Sequence, residues 1–146
     1  MRLWAWQMLP YLSELQFKGQ LRELVLVMRQ WRDDGKTNHL LINRVMEYPK
    51  RELYEYWSLY YKEYTNRYNK NIDKYDDEFW NFCGAGYYDR NPKPFKDWHT
   101  KEYLRVCYAN LYEKHKFGVG KSRISDEEWR TLCEGYKEIT GEEYAI

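Results

Sequence analysis

Hydrophobic residues recur at helical spacing over most of this chain, and turn residues separate one repeat from the next. The first helix is predicted from residue 14 to about residue 34, with Ser13 and Gln16 forming a capping box at its start. Gly35 then provides a left-handed exit. One side of this helix carries apolar residues at i, i+3, i+4 and i+7, namely Leu21, Leu24, Val25 and Met28.

Four more helices follow from the same kind of pattern. They are predicted over residues 39–47, from Pro49 through the aromatic repeat that ends near Tyr64, over residues 100–116, and after the capping box at Ser125. Residues 70–98 lose the periodicity and contain Gly84-Ala85-Gly86 and Asn91-Pro92, which predicts one long irregular loop. Because there is no convincing strand pattern, we predict a compact all-α fold with residues 1–146 in a single domain.

Polar residues form a separate stripe on the first helix. Gln16, Gln20 and Glu23 follow one another at i, i+4 and i+7, and Arg22 lies beside them. A polar stripe on a helix is usually its solvent face. The alternative is that the stripe faces a binding or catalytic site, and the pattern alone leaves both interpretations open.

Composition excludes several classes of protein. Aromatic residues make up 19% of the 146 residues, so the predicted core contains many Tyr and Trp rings. Their hydroxyl and indole N–H groups need hydrogen-bond partners. The sequence has no apolar run of about 18 residues, which excludes a membrane span. The N-terminus lacks the apolar stretch and cleavage site of a signal peptide, so we expect a cytoplasmic protein.

Metal and cofactor chemistry receives no support from the sequence. The three cysteines, Cys83, Cys107 and Cys133, are widely spaced and match no zinc or redox motif, so we expect buried free thiols. His39, His99 and His115 include no pair at ligand spacing. We therefore predict neither a metal site nor a cofactor.

Charge is distributed unevenly although the net charge is only +1. Residues 1–50 carry +3, residues 51–89 carry −3, residues 90–123 carry +6 and residues 124–146 carry −5. A nucleic-acid-binding protein needs a local basic surface rather than a basic total. The first and third segments would supply such a surface if they lie together in the fold.

Three sequence blocks resemble a known family. The first consists of Arg-Leu-Trp at residues 2–4, Pro10-Tyr11-Leu12 and Gln16-x-x-Gly19-Gln20-x-Arg22-Glu23. The second is Asn38-His39-Leu40-Leu41-Ile42-Asn43-x-Val45-Met46 with Tyr48-Pro49, and the third is Trp98-His99, Tyr103-Leu104, Cys107-Tyr108, Asn110-Leu111 and Glu113-Lys114. Together they resemble the pyrimidine-dimer DNA glycosylases of the phage endonuclease V type, up to about residue 130. The chain is most similar to small bacterial or phage members.

This resemblance implies a fold and a reaction. The fold is all-α, with the N-terminal segment packed between helices. The implied activity is that of a DNA glycosylase and abasic-site lyase, in which the N-terminal α-amine attacks C1′ of the damaged nucleotide and forms an imine. Glu23 corresponds to the helix glutamate that supports this step, and Arg22 would bind a flanking phosphate. The implied partner is duplex DNA with a damaged base or an abasic site.

The nucleophile that the resemblance implies is also chemically reasonable. An amine must be unprotonated to attack. From reference pKa values, roughly 10% of an α-amine is free at neutral pH, against under about 0.1% of a lysine amine. A flipped base is often held between aromatic side chains, and Trp4, Trp6 and Tyr11 lie near the chain start, although core packing is the more common role for such residues.

The sequence departs from the family pattern at three positions. Arg2 is too bulky for ordinary methionine excision, so the candidate nucleophile is the amine of Met1. Gln16 stands where the family has a histidine, and Leu26 stands where it has a second arginine. Arg29, two turns after Arg22, is a candidate replacement for that arginine. The candidate residues are therefore Met1 and Glu23 for catalysis, and, for substrate or phosphate binding, Arg2, Trp4, Trp6, Gln16, Gln20, Arg22 and Arg29.

Three hypotheses for function remain open at this point. The first is a glycosylase or abasic-site lyase that acts through the Met1 amine and Glu23. The second is an inactive relative that binds or sequesters a nucleotide or nucleic acid in the same pocket, which the altered terminus, the missing second arginine and the near-neutral net charge favour. The third is a protein-interaction role for exposed Tyr and Trp side chains.

Overall fold

The computed structural model describes residues 1–84 and 89–146. Within these residues the chain contains no strand and forms six α-helices: α1 (Glu14–Asp33), α2 (Leu40–Met46), α3 (Lys50–Tyr68), α4 (Asp73–Cys83), α5 (Lys101–Phe117) and α6 (Asp126–Thr140). Two short 3-10 helices span Trp6–Tyr11 and Gly120–Ser122. The all-α prediction is confirmed. Among the described helices, none has both the length and the hydropathy that crossing a bilayer requires.

Helix α1 begins and ends close to the predicted positions, but its start is built differently. The Ser13 hydroxyl donates a hydrogen bond to the Gln16 side-chain oxygen instead of capping the helix backbone. At the other end Gly35 has the predicted left-handed conformation, with φ of 69°. The capping box predicted at Ser125 is formed in full, because Ser125 and Glu128 each accept a backbone N–H from the other.

The prediction of one irregular loop over residues 70–98 is wrong in its first half. Helix α4 lies there, and Tyr75, Phe79 and Phe82 recur along it at i, i+4 and i+7. Phe79 stacks on Trp57 of α3 with ring centroids 4.3 Å apart. The polar residues and turn signals around this short repeat obscured it. Ala85 and Gly86 of the predicted turn lie outside the described residues.

The N-terminal segment lies inside the fold, as the family resemblance implied. Leu3, Ala5, Met8 and Leu9 are buried and belong to the same hydrophobic cluster as the helices. The first 3-10 helix packs against α3 and α6. At Gly135 of α6 a side chain would collide with the Tyr11 ring, so glycine is required for this close approach. The segment from Leu3 to Leu9 therefore contributes to the core.

Candidate functional site

The polar stripe of α1 binds the main chain of the N-terminal segment. The backbone N–H of Arg2 donates to Oε2 of Glu23 at 3.3 Å, and Nε2 of Gln20 donates to the carbonyl of Arg2 at 2.9 Å. The backbone N–H of Trp4 donates to Oε1 of Gln20 at 2.8 Å. Gln20 and Glu23 therefore face the interior at the chain start, and the solvent-face interpretation fails for these two residues.

Two tyrosines hold the opposite side of the segment. Tyr103 of α5 donates to the carbonyl of Leu3, and Tyr56 of α3 donates to the carbonyl of Trp4, each at 2.6 Å. Burial raises the pKa of Tyr56 and of Tyr103, so both rings keep the proton that makes these bonds. The segment is consequently fixed by side chains from three different helices.

A buried histidine completes this set of contacts. The backbone N–H of Trp6 donates to Nδ1 of His99 at 3.1 Å, and the Gln7 amide donates to the carbonyl of His99 at 2.9 Å. Burial, with a smaller contribution from the charge of Arg44, lowers the pKa of His99 to about 3. The ring is therefore neutral at neutral pH, and because Nδ1 accepts a hydrogen bond, its hydrogen is on Nε2.

Gln20 links the N-terminal segment to the candidate catalytic carboxylate. Its side chain is fully buried, and its Nε2 donates to Oε2 of Glu23 at 3.0 Å as well as to the Arg2 carbonyl. Both the nitrogen and the oxygen of the Gln20 amide therefore form hydrogen bonds, since the oxygen accepts the Trp4 N–H. A buried amide with this many partners fixes the positions of everything that it contacts.

The carboxyl group of Glu23 lies in an environment suited to proton transfer. Burial raises its pKa, and four groups partly oppose that rise: the Arg2 backbone N–H, the N-terminal amino group, the Arg22 guanidinium and the Gln20 amide. A carboxyl group with a raised pKa exchanges protons more readily near neutral pH than an exposed one. Its surroundings also include the one amine that the sequence nominated as nucleophile.

Met1 lies at the open end of this arrangement. Half of its surface is exposed, and its amino group acts electrostatically on Glu23. The backbone atom of the N-terminal segment that donates a hydrogen bond to the carboxylate is the nitrogen of Arg2, one residue further along the chain. The structure therefore brings the chain start and Glu23 together, with the backbone fixed from residue 2 onwards.

The two candidate phosphate-binding arginines of α1, Arg22 and Arg29, line the same groove but have different partners. Arg22 is exposed and lies beside an open groove of about 390 Å³ whose lining also includes Lys18, Leu21 and Tyr75. Neither Met1 nor Glu23 belongs to that lining. Arg29 reaches the same groove, but Glu78 of α4 holds its guanidinium through two hydrogen bonds of 2.7 and 3.1 Å.

The remaining candidates lie closer to the core than to an open site. Trp4 is only 7% exposed and belongs to the hydrophobic cluster. Trp6 is partly buried and lines a cavity of about 340 Å³ between the first 3-10 helix and α3. The guanidinium of Arg2 lies 5.8 Å from the Trp4 ring centre, and Gln16 is bound to Ser13. Packing accounts for Trp4, whereas Trp6 keeps an accessible edge.

No metal centre is present in the described part of the chain, where no three His, Cys, Asp or Glu side chains are grouped closely enough to hold an ion. The thiols of Cys83 and Cys107 are buried, and burial raises the pKa of each, to about 12 for Cys83. A thiol with a raised pKa is a poor nucleophile at neutral pH.

Sequence reasoning missed the residues that hold the segment from the far side. Tyr56 was not singled out, and His99 and Tyr103 entered as parts of the third block, without a partner. The available signal was the polar atom on each ring, since a buried hydroxyl or imidazole requires a hydrogen bond. That signal predicts that a partner exists, but it does not identify the backbone of residues 3–6.

A protein-family model matches the first half of this chain. The family model described as pyrimidine dimer DNA glycosylase matches residues 1–76, which include the N-terminal segment, Gln20, Glu23 and Tyr56. The third block of the resemblance, with His99 and Tyr103, lies beyond the end of the match. Among curated proteins and among solved structures, no significant match was found. Because the match covers just over half of the 146 residues, the chain belongs to the pyrimidine dimer DNA glycosylase family.

Proposed function

We propose that this protein removes a damaged base from duplex DNA, and cuts the resulting abasic site, through an imine formed by the amine at its chain start. One observation supports this more than any other. The N-terminal segment is fixed so that its backbone nitrogen at Arg2 lies 3.3 Å from the carboxylate of Glu23. Membership of the glycosylase family supports DNA as the substrate.

The reaction begins when the unprotonated amine of Met1 attacks C1′ of the damaged nucleotide. A bond forms between the amine nitrogen and C1′, and the bond from C1′ to the base breaks, so the base leaves with the electron pair. The nitrogen then loses a proton and its lone pair breaks the bond from C1′ to the ring oxygen, so the sugar ring opens, the ring oxygen takes up a proton, and a protonated imine remains. Loss of a proton from C2′ and departure of the phosphate at C3′ cut the strand by β-elimination.

Glu23 serves this sequence as a proton acceptor and as a negative charge beside the iminium cation. Its raised pKa makes it a stronger base than an ordinary exposed glutamate. Gln20 acts as a positioning residue because it binds both Glu23 and the Arg2 carbonyl. An error of about 1 Å in the position of a reacting group is costly, so this fixed geometry favours catalysis.

DNA binding requires cations near the site. Arg22 is exposed beside Glu23 on α1, and Lys18 and Arg29 line the same groove. Arg22 would contact a phosphate next to the damaged nucleotide. Lys18 pairs with Glu14 at 3.1 Å and Arg29 pairs with Glu78, so Arg22 is the best-placed of the three to contact DNA.

Borohydride trapping on a duplex with one abasic site tests the proposal. Reduction of the imine produces a stable covalent adduct between protein and DNA, and we expect that adduct from the parent protein. A variant with residues added before Met1 should give none, because its amine is displaced from Glu23. Absence of an adduct from the parent, in conditions where a control lyase forms one, would reject imine chemistry.

One observation favours the alternative, an inactive relative that binds a nucleotide. Oxygen Oε2 of Glu23 already accepts the Arg2 backbone N–H and the Gln20 amide, and the Met1 amine lies one residue beyond this contact. Thermal shift against a panel of nucleotides separates the two functions. A rise in Tm with a nucleotide, together with no trapping, would support the binding protein.

A further inference from the structure

The connection between α5 and α6 exposes two large apolar side chains. Phe117, the last residue of α5, is 73% exposed, and Val119 is 79% exposed. A single exposed apolar residue is ordinary. Two of them at one loop, which we call the α5–α6 loop (residues 117–123), form a small protruding apolar tip that nothing in the proposed reaction uses.

The shape of this loop is fixed and requires glycine. A Cβ atom at Gly118 would lie 2.2 Å from the Lys114 carbonyl oxygen, so no side chain fits there. Gly120 has φ of 61°, and the Ser122 hydroxyl donates to the carbonyl of Val119 at 2.8 Å. The tip therefore protrudes because the loop holds it in that position.

Both ends of the loop are anchored on the helices. Ile124, directly after it, is buried in the core. The ring of His115 stacks on Trp129 of α6, with centroids 5.4 Å apart and planes within 9° of parallel, and its Nδ1 lies 2.9 Å from the Ile124 carbonyl. The position of the loop is thus fixed relative to both α5 and α6.

The segment that carries the tip is rich in basic residues. Residues 114–123 include four Lys or Arg and no Asp or Glu. Arg123 is bound to Asp126 at 3.1 Å, whereas Lys114, Lys116 and Lys121 have no ion pair among the described residues. Unpaired cations around a rigid apolar tip favour a polyanionic partner, because neutralised phosphates release their counterions.

We infer that the α5–α6 loop is a DNA contact, in which Lys116 and Lys121 bind backbone phosphates and Phe117, with Val119, packs against an unstacked base step. Apolar side chains of this kind are used as wedges between base pairs. A membrane is the less suitable partner, because two side chains bury little apolar area and stable anchoring needs more. The inference rests on the proposed function for its choice of polyanion.

The test uses the full chain and a duplex with a tetrahydrofuran abasic analogue, which cannot form an imine. 2-Aminopurines placed at successive positions along the duplex report unstacking by their fluorescence. We expect the double variant Phe117→Ser, Val119→Ser to weaken binding about tenfold and to lose the fluorescence rise. Ile146→Ser is the control, since Ile146 is 86% exposed but follows the acidic pair Glu142 and Glu143 in the sequence, and it should behave like the parent.

The charge of the loop is tested by salt dependence. Lys116→Gln with Lys121→Gln should lower the slope of log Kd against log salt by about two, close to one per lost phosphate contact.

Unchanged binding and slope in both loop variants, while the parent binds DNA and cuts abasic sites, would overturn the loop inference alone. If the parent fails to bind DNA, both the loop inference and the proposed substrate are rejected. A third outcome would also overturn the inference. If the parent binds phosphatidylserine vesicles and the double variant Phe117→Ser, Val119→Ser does not, the loop is a membrane contact.

Discussion

The two halves of α1 both carry polar side chains towards the rest of the fold, but they use them in different ways. In the N-terminal half, Gln20 and Glu23 bind backbone atoms of residues 2–4. In the C-terminal half, Arg29 and Arg32 pair with Glu78 of α4 at 2.7 and 3.1 Å. One half fixes a chain end and the other joins two helices.

This difference determines what a substitution in each half should do. Backbone groups bound by a buried amide have no other partner when that amide is removed, so both position and stability are lost. The Arg29 and Arg32 side chains of these ion pairs are about 40% exposed, and exposed pairs contribute little to stability. Substitutions of Gln20 and Glu23 should therefore affect catalysis, and those of Arg29 and Arg32 should not.

The largest expected effect comes from Glu23→Gln. Losing the proton acceptor should reduce cutting of an abasic-site duplex by about a thousandfold. Glu78→Gln is the matched control on the other side of the comparison and should cut DNA like the parent. Initial rates of strand cleavage measure both, and parental cleavage by Glu23→Gln would remove Glu23 from the mechanism.

The same variant should not lose stability. Because burial raises the pKa of Glu23, its charged form is less favourable in the folded state than in the unfolded state. Stability from this group is present at low pH and lost as pH rises through its folded pKa. Glu23→Gln should consequently have a Tm equal to or above that of the parent at neutral pH, and the difference should shrink on acidification.

Acid should unfold the protein partly through His99. Its pKa is lowered to about 3, so between pH values of about 6.5 and 3 the unfolded state takes up a proton and the folded state does not. The loss amounts to about 4 kcal/mol of unfolding free energy over that window. Urea titrations as a function of pH should show a flatter profile for His99→Gln, while His39→Gln, at an exposed position, keeps the parental slope.

Replacing Gln20 by Met keeps the side-chain volume but removes its hydrogen bonds. The Trp4 N–H and the Arg2 carbonyl then lose their partner, which should cost about 3 kcal/mol of unfolding free energy. Borohydride trapping should fall as well, because the chain start is no longer fixed. Gln16→Met provides the comparison at the half-buried position one turn earlier, and an equal loss of trapping there would contradict a specific role for Gln20.

The smallest effect is expected for Arg29→Gln. Its pair with Glu78 is partly exposed, so denaturant titration should detect a loss of about 0.5 kcal/mol. Trapping and cleavage should equal those of the parent. A large loss of DNA binding in this variant would show that Arg29 contacts phosphate and would end the distinction between the two halves of α1.

The sequence predicted most of the helices because their apolar residues recur with a single period. It also placed Gln20, Arg22 and Glu23 in the candidate site, since a polar stripe and a family resemblance coincide there. Helix α4 was missed because its aromatic repeat covers only Tyr75 to Phe82 among acidic residues and next to turn signals. Short repeats carry little information about where a helix begins.

The far side of the site was harder to predict for a different reason. His99 and Tyr103 are separated from the residues that they hold by about a hundred positions in the chain. Local patterns give the burial of such a ring but not its partner, which is decided by how the helices pack. The same applies to Arg29, whose partner Glu78 lies on the helix that the sequence did not predict.

The most direct measurement locates the trapped DNA on the protein. Cleavage after Glu14 releases residues 1–14, a peptide without lysine, so its α-amine is the only primary amine that it contains. We predict that mass spectrometry of the borohydride-trapped complex finds the sugar remnant on this peptide. The same peptide from Glu23→Gln should carry no sugar remnant. An adduct on a lysine elsewhere in the chain would contradict it.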